Sequence, residues 1–345
     1  KDTYEFILND LKAALATTRE DVGDRWLVSK PAVEAMMARY YLFTQDYAQA
    51  ETYAKKAMES QTVTLEDYNG YSLEPATVMN PETGEESSIA YSQLWSYSPN
   101  EVTKYAENYF SAYYDVSSGI YLIPSESLIS LYDQDNDLRF EQFFNKHALW
   151  NVSISGFGED IQYHRMQNIY SDDLLTMGPT LPEMMLTAAE AEARQGKVKE
   201  AMETVNRLRR ARMRNTADDI NLTASSQEEA VKEILDERHR EMPFISRWQD
   251  IRRLAYNDVS YDDVTVTHTF YNVKNNVVDN SQVITYTLPV KSPRYAQPIT
   301  NLEIKRSKGQ ITQNTYTDND IVKTIQDNEE GNEENNEDYN EKGNE

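Results

Sequence analysis

Apolar residues near the start of the chain stand at Tyr4, Leu8, Leu11 and Leu15. That spacing marks one face of a helix and predicts helical structure over Asp2–Thr17. Ser29-Lys30-Pro31 opens a second helix. Serine is a good N-cap, and proline is tolerated in a first turn because its missing N–H would have no partner there. This helix runs to about Phe43, Gln45-Asp46 turns the chain, and Tyr47 to Ser60 forms a third. A further pair is predicted over Leu181 to Met213, turned by Gly196-Lys197. Ser226 caps a long helix from Gln227 to about Ala255, with Glu229 completing a capping box and Pro243 breaking or kinking it. From Tyr261 to Val290 the period changes to two. Val264, Val266, His268 and Phe270 share a face, Asn275-Asn276 and Asp279-Asn280 supply turn residues, and Val283 to Leu288 returns as the second arm of a hairpin.

The first helical pair has the features of a tetratricopeptide repeat. Ala38, Tyr41, Ala50 and Ala57 take its small and aromatic positions, where small residues let two helices approach closely and a ring fills the groove beside them. Glu34 stands where tryptophan is usual. The second pair repeats the spacing more weakly with Met185, Ala188, Ala189, Ala201 and Leu208, and Glu192 replaces the aromatic. Between the pairs, Gln61 to Thr180 reads as a loop-rich insertion with many turn residues and aromatics, a short strand over Ser88–Trp95 and a helix over Ser125–Asp135 capped by Ser125.

Composition narrows the functional classes. The formal net charge is −24, which argues against nucleic acid, whose phosphates need clustered lysine and arginine, and against unassisted adhesion to anionic lipid. Residues 318–345 carry eleven acidic residues against two lysines and are expected to be a solvated, disordered tail. Mean hydropathy of −0.74 points to a water-soluble chain, and no run approaches the roughly 18 apolar residues of a membrane span. The opening residues read as the middle of a helix-rich protein rather than a signal peptide, so further sequence is expected upstream. There is no cysteine, which excludes disulfide and thiolate chemistry within this stretch.

No catalytic or metal motif stands out. Asp133, Asp135 and Asp137 begin like a calcium loop, but its sixth and twelfth positions are Leu138 and Phe144 instead of glycine and glutamate. A capped helix end with an ion pair to Arg139 is the expected role. The four histidines lack zinc spacing, and His239 sits in the run Glu237-Arg238-His239-Arg240-Glu241, which reads as an ion-paired helix. No catalytic residue, metal site or cofactor is expected. Tyrosine is the unusual feature: 24 against nine phenylalanines, crowded between Tyr68 and Tyr121 with Trp95 among them. Tyrosine and tryptophan offer a flat apolar face and a hydrogen-bonding edge, which suits a sugar ring and suits peptides almost as well. The same residues serve equally as core or repeat-groove side chains. Tyr105, Tyr109 and Tyr113 would share one face if their segment were helical. The expected ligand-binding set is Trp95, Tyr97, Asn100, Tyr105, Asn108, Tyr109, Tyr113 and Tyr114.

Four segments together resemble the RagB/SusD family. They are Ile123-Pro124-Ser125-Glu126-Ser127-Leu128 with Leu131-Tyr132 and Asp135-Asn136-Asp137-Leu138-Arg139; Leu186 to Ala191 with Asn206-Arg207-Leu208-Arg209 and Arg212; Glu237 to Phe244 with Arg247-Trp248-Gln249-Asp250-Ile251-Arg252-Arg253; and Leu288-Pro289-Val290 followed by Pro298-Ile299, Glu303-Ile304 and Gln313-Asn314. Their order is the family's, and the resemblance spans Asp2 to about Tyr316. It implies a mainly α, SusD-like fold of tetratricopeptide-like helical pairs (1–60 and 181–256), an irregular loop-rich region (61–180) and a few short β-strands. The nutrient-binding domain would be 1–317, N-terminally truncated. It further implies a surface-exposed outer-membrane protein, held only by a lipid anchor upstream of this chain. Such a protein binds an oligosaccharide, or less often a peptide, and hands it to a SusC-like TonB-dependent transporter without breaking a bond. The rival reading is a tetratricopeptide protein-interaction scaffold with its groove around Tyr40, Tyr41 and Tyr53.

Overall fold

The computed structural model describes residues 2–70, 77–79, 86–88, 106–115, 124–150, 161–166, 174–274 and 277–327. Three helices come first: α1 (Asp2–Thr17), α2 (Lys30–Phe43) and α3 (Tyr47–Met58). The expected Ser29 cap forms, accepting from the Ala32 N–H with Pro31 in the first turn, and Asp46 of the predicted turn also caps α3 by accepting from the Gln49 N–H. Leu8, Leu11 and Leu15 of α1 are half-buried, while Tyr4 stacks on Phe43 of α2 at 6.1 Å. Ala38, Ala50 and Ala57 are fully buried, and Tyr41 stacks on Tyr53 at 5.5 Å, as the repeat spacing predicts.

The insertion follows with β1 (Thr77–Met79) paired to β2 (Glu86–Ser88), and then β3 (Tyr113–Asp115). Ser125 caps only a four-residue helix, α4 (Glu126–Ile129), shorter than the predicted Ser125–Asp135. The chain instead turns at Asp133, whose carboxylate accepts the N–H groups of Asp135 and Asn136, and restarts at Asp137 as α5 (Leu138–Phe143). Then come β4 (Phe144–Trp150), which pairs with β5 (Ile161–Met166), and β6 (Leu174–Thr176), which pairs with β3. Tyr68, Leu128, Tyr132, Leu138, Phe140, Phe143 and Phe144 form an aromatic core beneath this region.

The centre of the helical part is α6 (Leu181–Arg194), buried from Leu181 to Ala193. It packs against α2, α3, α7 (Val198–Arg210) and α8 (Gln227–Glu241). A helix enclosed on all sides has to be nearly apolar or ion-paired, and α6 is both. Leucine, methionine and alanine supply most of its apolar positions. Its acids have partners: Glu190 binds Arg194 at 2.8 Å and Glu192 binds Lys55 at 2.7 Å. Gly196, at φ +80°, makes the turn to α7. Ser226 caps α8 by accepting from Glu229, but the Glu229 carboxylate accepts from the backbone and hydroxyl of Ser225 rather than from Ser226, so only half of the predicted capping box forms. α8 stops at Glu241, before Pro243, and α9 (Arg247–Leu254) follows.

The chain divides into two units, Lys1–Trp150 with Ile161–Asp250, and Asn151–Asp160 with Ile251–Glu345. The second unit carries the predicted hairpin as β7 (Val266–Lys274) and β8 (Val277–Leu288), with a register shift between Tyr271 and Asn272. After the short α10 (Asn301–Arg306), β9 (Val322–Asp327) adds a third antiparallel strand beside β8. The acidic tail therefore starts later than residue 318. Val322 to Asp327 pair residue by residue with Gln282 to Thr287 of β8, so backbone pairing forms this strand. Residues 328–345 lie outside the described residues. No described helix is long and apolar enough to cross a membrane. The observed fold is mainly helical, with paired repeat-like helices and a few short strands.

Candidate functional site

The tyrosine-rich segment can be followed from Ala106 to Asp115. It is a seam rather than a helix, so Tyr109 and Tyr113 do not share a helical face. On one side it runs antiparallel to the entry of α6. Ala112 O accepts from both Met177 N at 2.7 Å and Gly178 N at 3.0 Å, Tyr109 N donates to Pro179 O, and Leu181 N donates to Glu107 O. On the other side Ser111 N donates to Arg25 O at 2.7 Å, and Thr64 N donates to Ala106 O at 2.8 Å. Gly178 makes the seam possible. A Cβ there would lie 1.8 Å from the carbonyl oxygen of Phe110. Gly178→Ala must push two backbones apart and is expected to destabilise by about 3 kcal/mol, read from urea unfolding; a loss below about 0.5 kcal/mol, the range of ordinary surface substitutions, would refute this packing.

The seam corrects two expectations. Asn108 and Tyr109, anticipated among ligand-facing residues, are interior side chains, with Tyr109 only 1% exposed. The cause is their pairing against Pro179 and Thr180 at the mouth of α6. Asn108 Nδ2, the Tyr109 hydroxyl and Ser111 Oγ are buried without a hydrogen-bond partner. Burial raises the Tyr109 hydroxyl well above the ordinary phenol range. Tyr113 and Tyr114 stand on β3 opposite Thr176 and Leu175. Trp95, Tyr97, Asn100 and Tyr105 lie outside the described residues.

Beneath the seam lies a buried charge cluster. Arg139 is fully buried and grips Asp137 with two bonds, Nε to Oδ1 at 2.9 Å and Nη2 to Oδ2 at 2.7 Å. Its Nη1 meets Glu237 at 2.8 Å and Glu241 at 3.0 Å. Arg212, also fully buried, donates to Glu107 at 2.8 Å, to Glu241 at 2.9 Å and to the Glu66 carbonyl at 2.6 Å, and lies 4.0 Å over the Tyr68 ring. Arg209 and Arg240 complete Glu237 at 2.8 Å and 2.7 Å. Four arginines thus face four carboxylates. Burial pushes the Glu237 carboxyl up, but Arg139, Arg209 and Arg240 outweigh it and hold it at about 2. The predicted ion-paired reading of Glu237–Glu241 and the predicted Asp137 cap with its Arg139 bridge both describe this cluster.

The charge cluster commits its groups to one another, so its chemistry is positioning: it joins α8, α5, the end of α7 and the seam. Reading the sequence missed Glu107 and Arg212 as partners. They are separated by 105 residues, and no local pattern links them. Among the described residues no group of acids and histidines could hold a metal ion.

The SusD family profile matches residues 181–316, from the start of α6 to beyond α10. No curated protein matches in sequence. Among solved structures, a SusD-like protein from Bacteroides fragilis superposes with a TM-score of 0.56 at 17% identity, covering 91% of this chain and 70% of the other. A SusD superfamily protein from Bacteroides thetaiotaomicron gives 0.57 at 18% identity, covering 90% and 66%. The surface glycan-binding protein A of Bacteroides uniformis gives 0.55 at 14% identity, covering 92% and 69%. The chain therefore spans about two thirds of the length of these proteins and shares their fold, and residues 181–316 are similar in sequence to the SusD family.

Proposed function

We propose that this chain is a cell-surface binding protein that captures an oligosaccharide and delivers it to a SusC-like TonB-dependent outer-membrane transporter. The family match over 181–316 carries this reading. The fold shared with a surface glycan-binding protein supports it. In this reading the chain binds and releases its ligand unchanged, reaches the outer membrane through a lipid anchor upstream, and presents Trp95, Tyr97, Asn100, Tyr105, Tyr113 and Tyr114 to the ligand. Asn108 and Tyr109 then act from behind, by fixing the seam. The nutrient-binding domain runs past residue 317 to include β9, which pairs with β8. Glu237 and Glu241, strongly buried acids, are ion-paired with arginine, which fits a positioning role.

A combined glycan and peptide array tests the reading. Binding to a neutral or acidic glycan is the expected result. A peptide-only signal would move the chain to the peptide-binding branch of the family, and no signal on either arm would defeat nutrient binding. Stacking contributes about 1 kcal/mol per aromatic beyond area burial. The pair Trp95→Ala and Tyr97→Ala should thus weaken the array ligand about thirtyfold by calorimetry, at about 1.4 kcal/mol per tenfold. Unchanged affinity would remove those two residues from the site.

A further inference from the structure

The second unit ends in a sheet with an open edge. Its strand order is β7-β8-β9, so among the described residues β9 is paired on one side only. Val322 to Asp327 are exposed throughout. An edge strand presents a row of backbone donors and acceptors that a further strand can take up.

One face of this sheet carries a pattern that ends at that edge. Phe270 stands opposite Ile284, and Ile284 opposite Ile325. The three form an apolar rung across the sheet, with Phe270 47% and Ile325 52% exposed. Side chains alternate along a strand, so Lys323 and Asp327, each two positions from Ile325, share its face. Both are oriented by β8. Lys323 Nζ lies 5.9 Å from the centre of the Tyr286 ring, and Asp327 Oδ1 accepts from Gln282 at 2.9 Å.

An edge lysine ordinarily blocks strand addition, because a new strand would enclose it without an opposite charge. A second copy of β9 removes that obstacle. Laid antiparallel and centred on Ile325, it sets Lys323 of each copy against Asp327 of the other, and Ile325 against Ile325. Lys323 and Asp327 are the only charged side chains of β9, so within the strand only this register matches them. Residues directly opposite in an antiparallel pair lie about 5 Å apart at Cβ. The net charge of −24 repels a second copy, but at physiological salt that repulsion is screened beyond about 8 Å, whereas the Lys–Asp pairs act inside that distance.

We propose that β9 is a self-pairing edge through which two copies of this chain form a two-fold dimer. Their sheets join as one, and the Phe270–Ile284–Ile325 rung continues from copy to copy. The two-fold arrangement uses the β9 edge of both copies, so pairing through β9 closes at the dimer. It does not depend on which ligand the chain binds.

Sedimentation equilibrium of the whole chain tests it, at concentrations from about 5 to 500 µM because one pair of strands is a small interface. A reversible monomer–dimer equilibrium is expected. Lys323→Asp sets acid against acid twice in the dimer and should weaken it about tenfold or more, and Asp327→Lys should do the same. The double variant, Lys323→Asp with Asp327→Lys, restores both pairs and should return to within about threefold of the wild type. Within one copy the two residues are about 13 Å apart along the strand. Neither a folding defect nor a contact inside the chain gives that rescue. A wild type that stays monomeric over the whole range, a dimer that Lys323→Asp leaves unchanged, a double variant no tighter than the singles, or assembly beyond the dimer would each overturn the proposal.

Discussion

Arg212→Met is expected to cost the protein about 3–5 kcal/mol, the usual penalty for removing one partner of a buried ion pair. Two facts make the loss large. Glu107 has Arg212 as its cation, so truncation strands a carboxylate whose pKa burial already raises, with Arg212 pulling it back. Arg212 also holds backbone, through the Glu66 carbonyl, and covers the Tyr68 ring. Those contacts fix the loop after α3 and the seam in front of α6. Arg212→Met combined with Glu107→Gln should recover part of the loss, because the stranded charge is gone while Glu241 keeps Arg139. Urea unfolding of the two single variants and the double variant gives the coupling directly. A single-variant loss below about 1 kcal/mol would mean that the cluster is solvated and contributes little. Full additivity would mean that Glu107 does not depend on Arg212.

Such a cluster also explains what could and could not be read from the chain. Local signals worked wherever one turn of backbone decides the outcome. Ser29, Ser125 and Ser226 cap helices, Pro31 sits in a first turn, Gly196 takes a positive φ, and Asp137 both caps α5 and binds Arg139. Periodicity found α1 and the β7–β8 hairpin. Signals failed where distant segments compete. Ser125–Asp135 is long enough for two helical turns more than it forms, but Asp133 offers its neighbours an alternative to helical bonding, and Leu138 N bonds to Arg212 O from the end of α7. Tyr109 and Tyr113 carry a helical spacing that the seam overrides, since pairing with 176–180 satisfies the backbone instead. Glu229 looked like a capping-box residue and bonds one position away from its expected partner. Tyrosine content alone could not separate core from ligand face. In the described part of the segment, Tyr109 is core.

Lowering the pH from 7 to 4 should destabilise the wild type more than a His239→Gln variant, by about 2–3 kcal/mol. Burial lowers the His239 pKa to about 4, with the cations of Arg247 and Arg240 adding to the effect and Asp250 opposing it. An unfolded histidine titrates near its ordinary value of about 6.5. Above that pH both states are neutral and the folded protein has its full stability. Between about 6.5 and 4 the unfolded chain takes up a proton that the folded chain refuses, so stability falls with pH, and below about 4 the loss is complete. The 2.5-unit gap corresponds to about 3.4 kcal/mol, reduced because the ring is partly open to water. A second limb should follow at lower pH. Glu237, held at about 2 in the fold against its ordinary 4.5, contributes stability that is full above about 4.5 and is lost as pH falls towards 2. Carboxyls raised by burial, Glu34 and Asp236 among them, act in the opposite sense and gain stability as they protonate. For that reason the wild-type curve alone is a mixture, and the difference curves carry the test. His239→Gln should flatten the limb between pH 6.5 and 4 and leave the lower one intact. Glu237→Gln should lower stability at neutral pH, by taking the paired carboxylate from Arg209 and Arg240, and should flatten the lower limb. Chemical denaturation at half-unit pH intervals measures both, and a wild-type-minus-His239→Gln difference that does not change between pH 6.5 and 4 would show that His239 protonates freely within the folded helix.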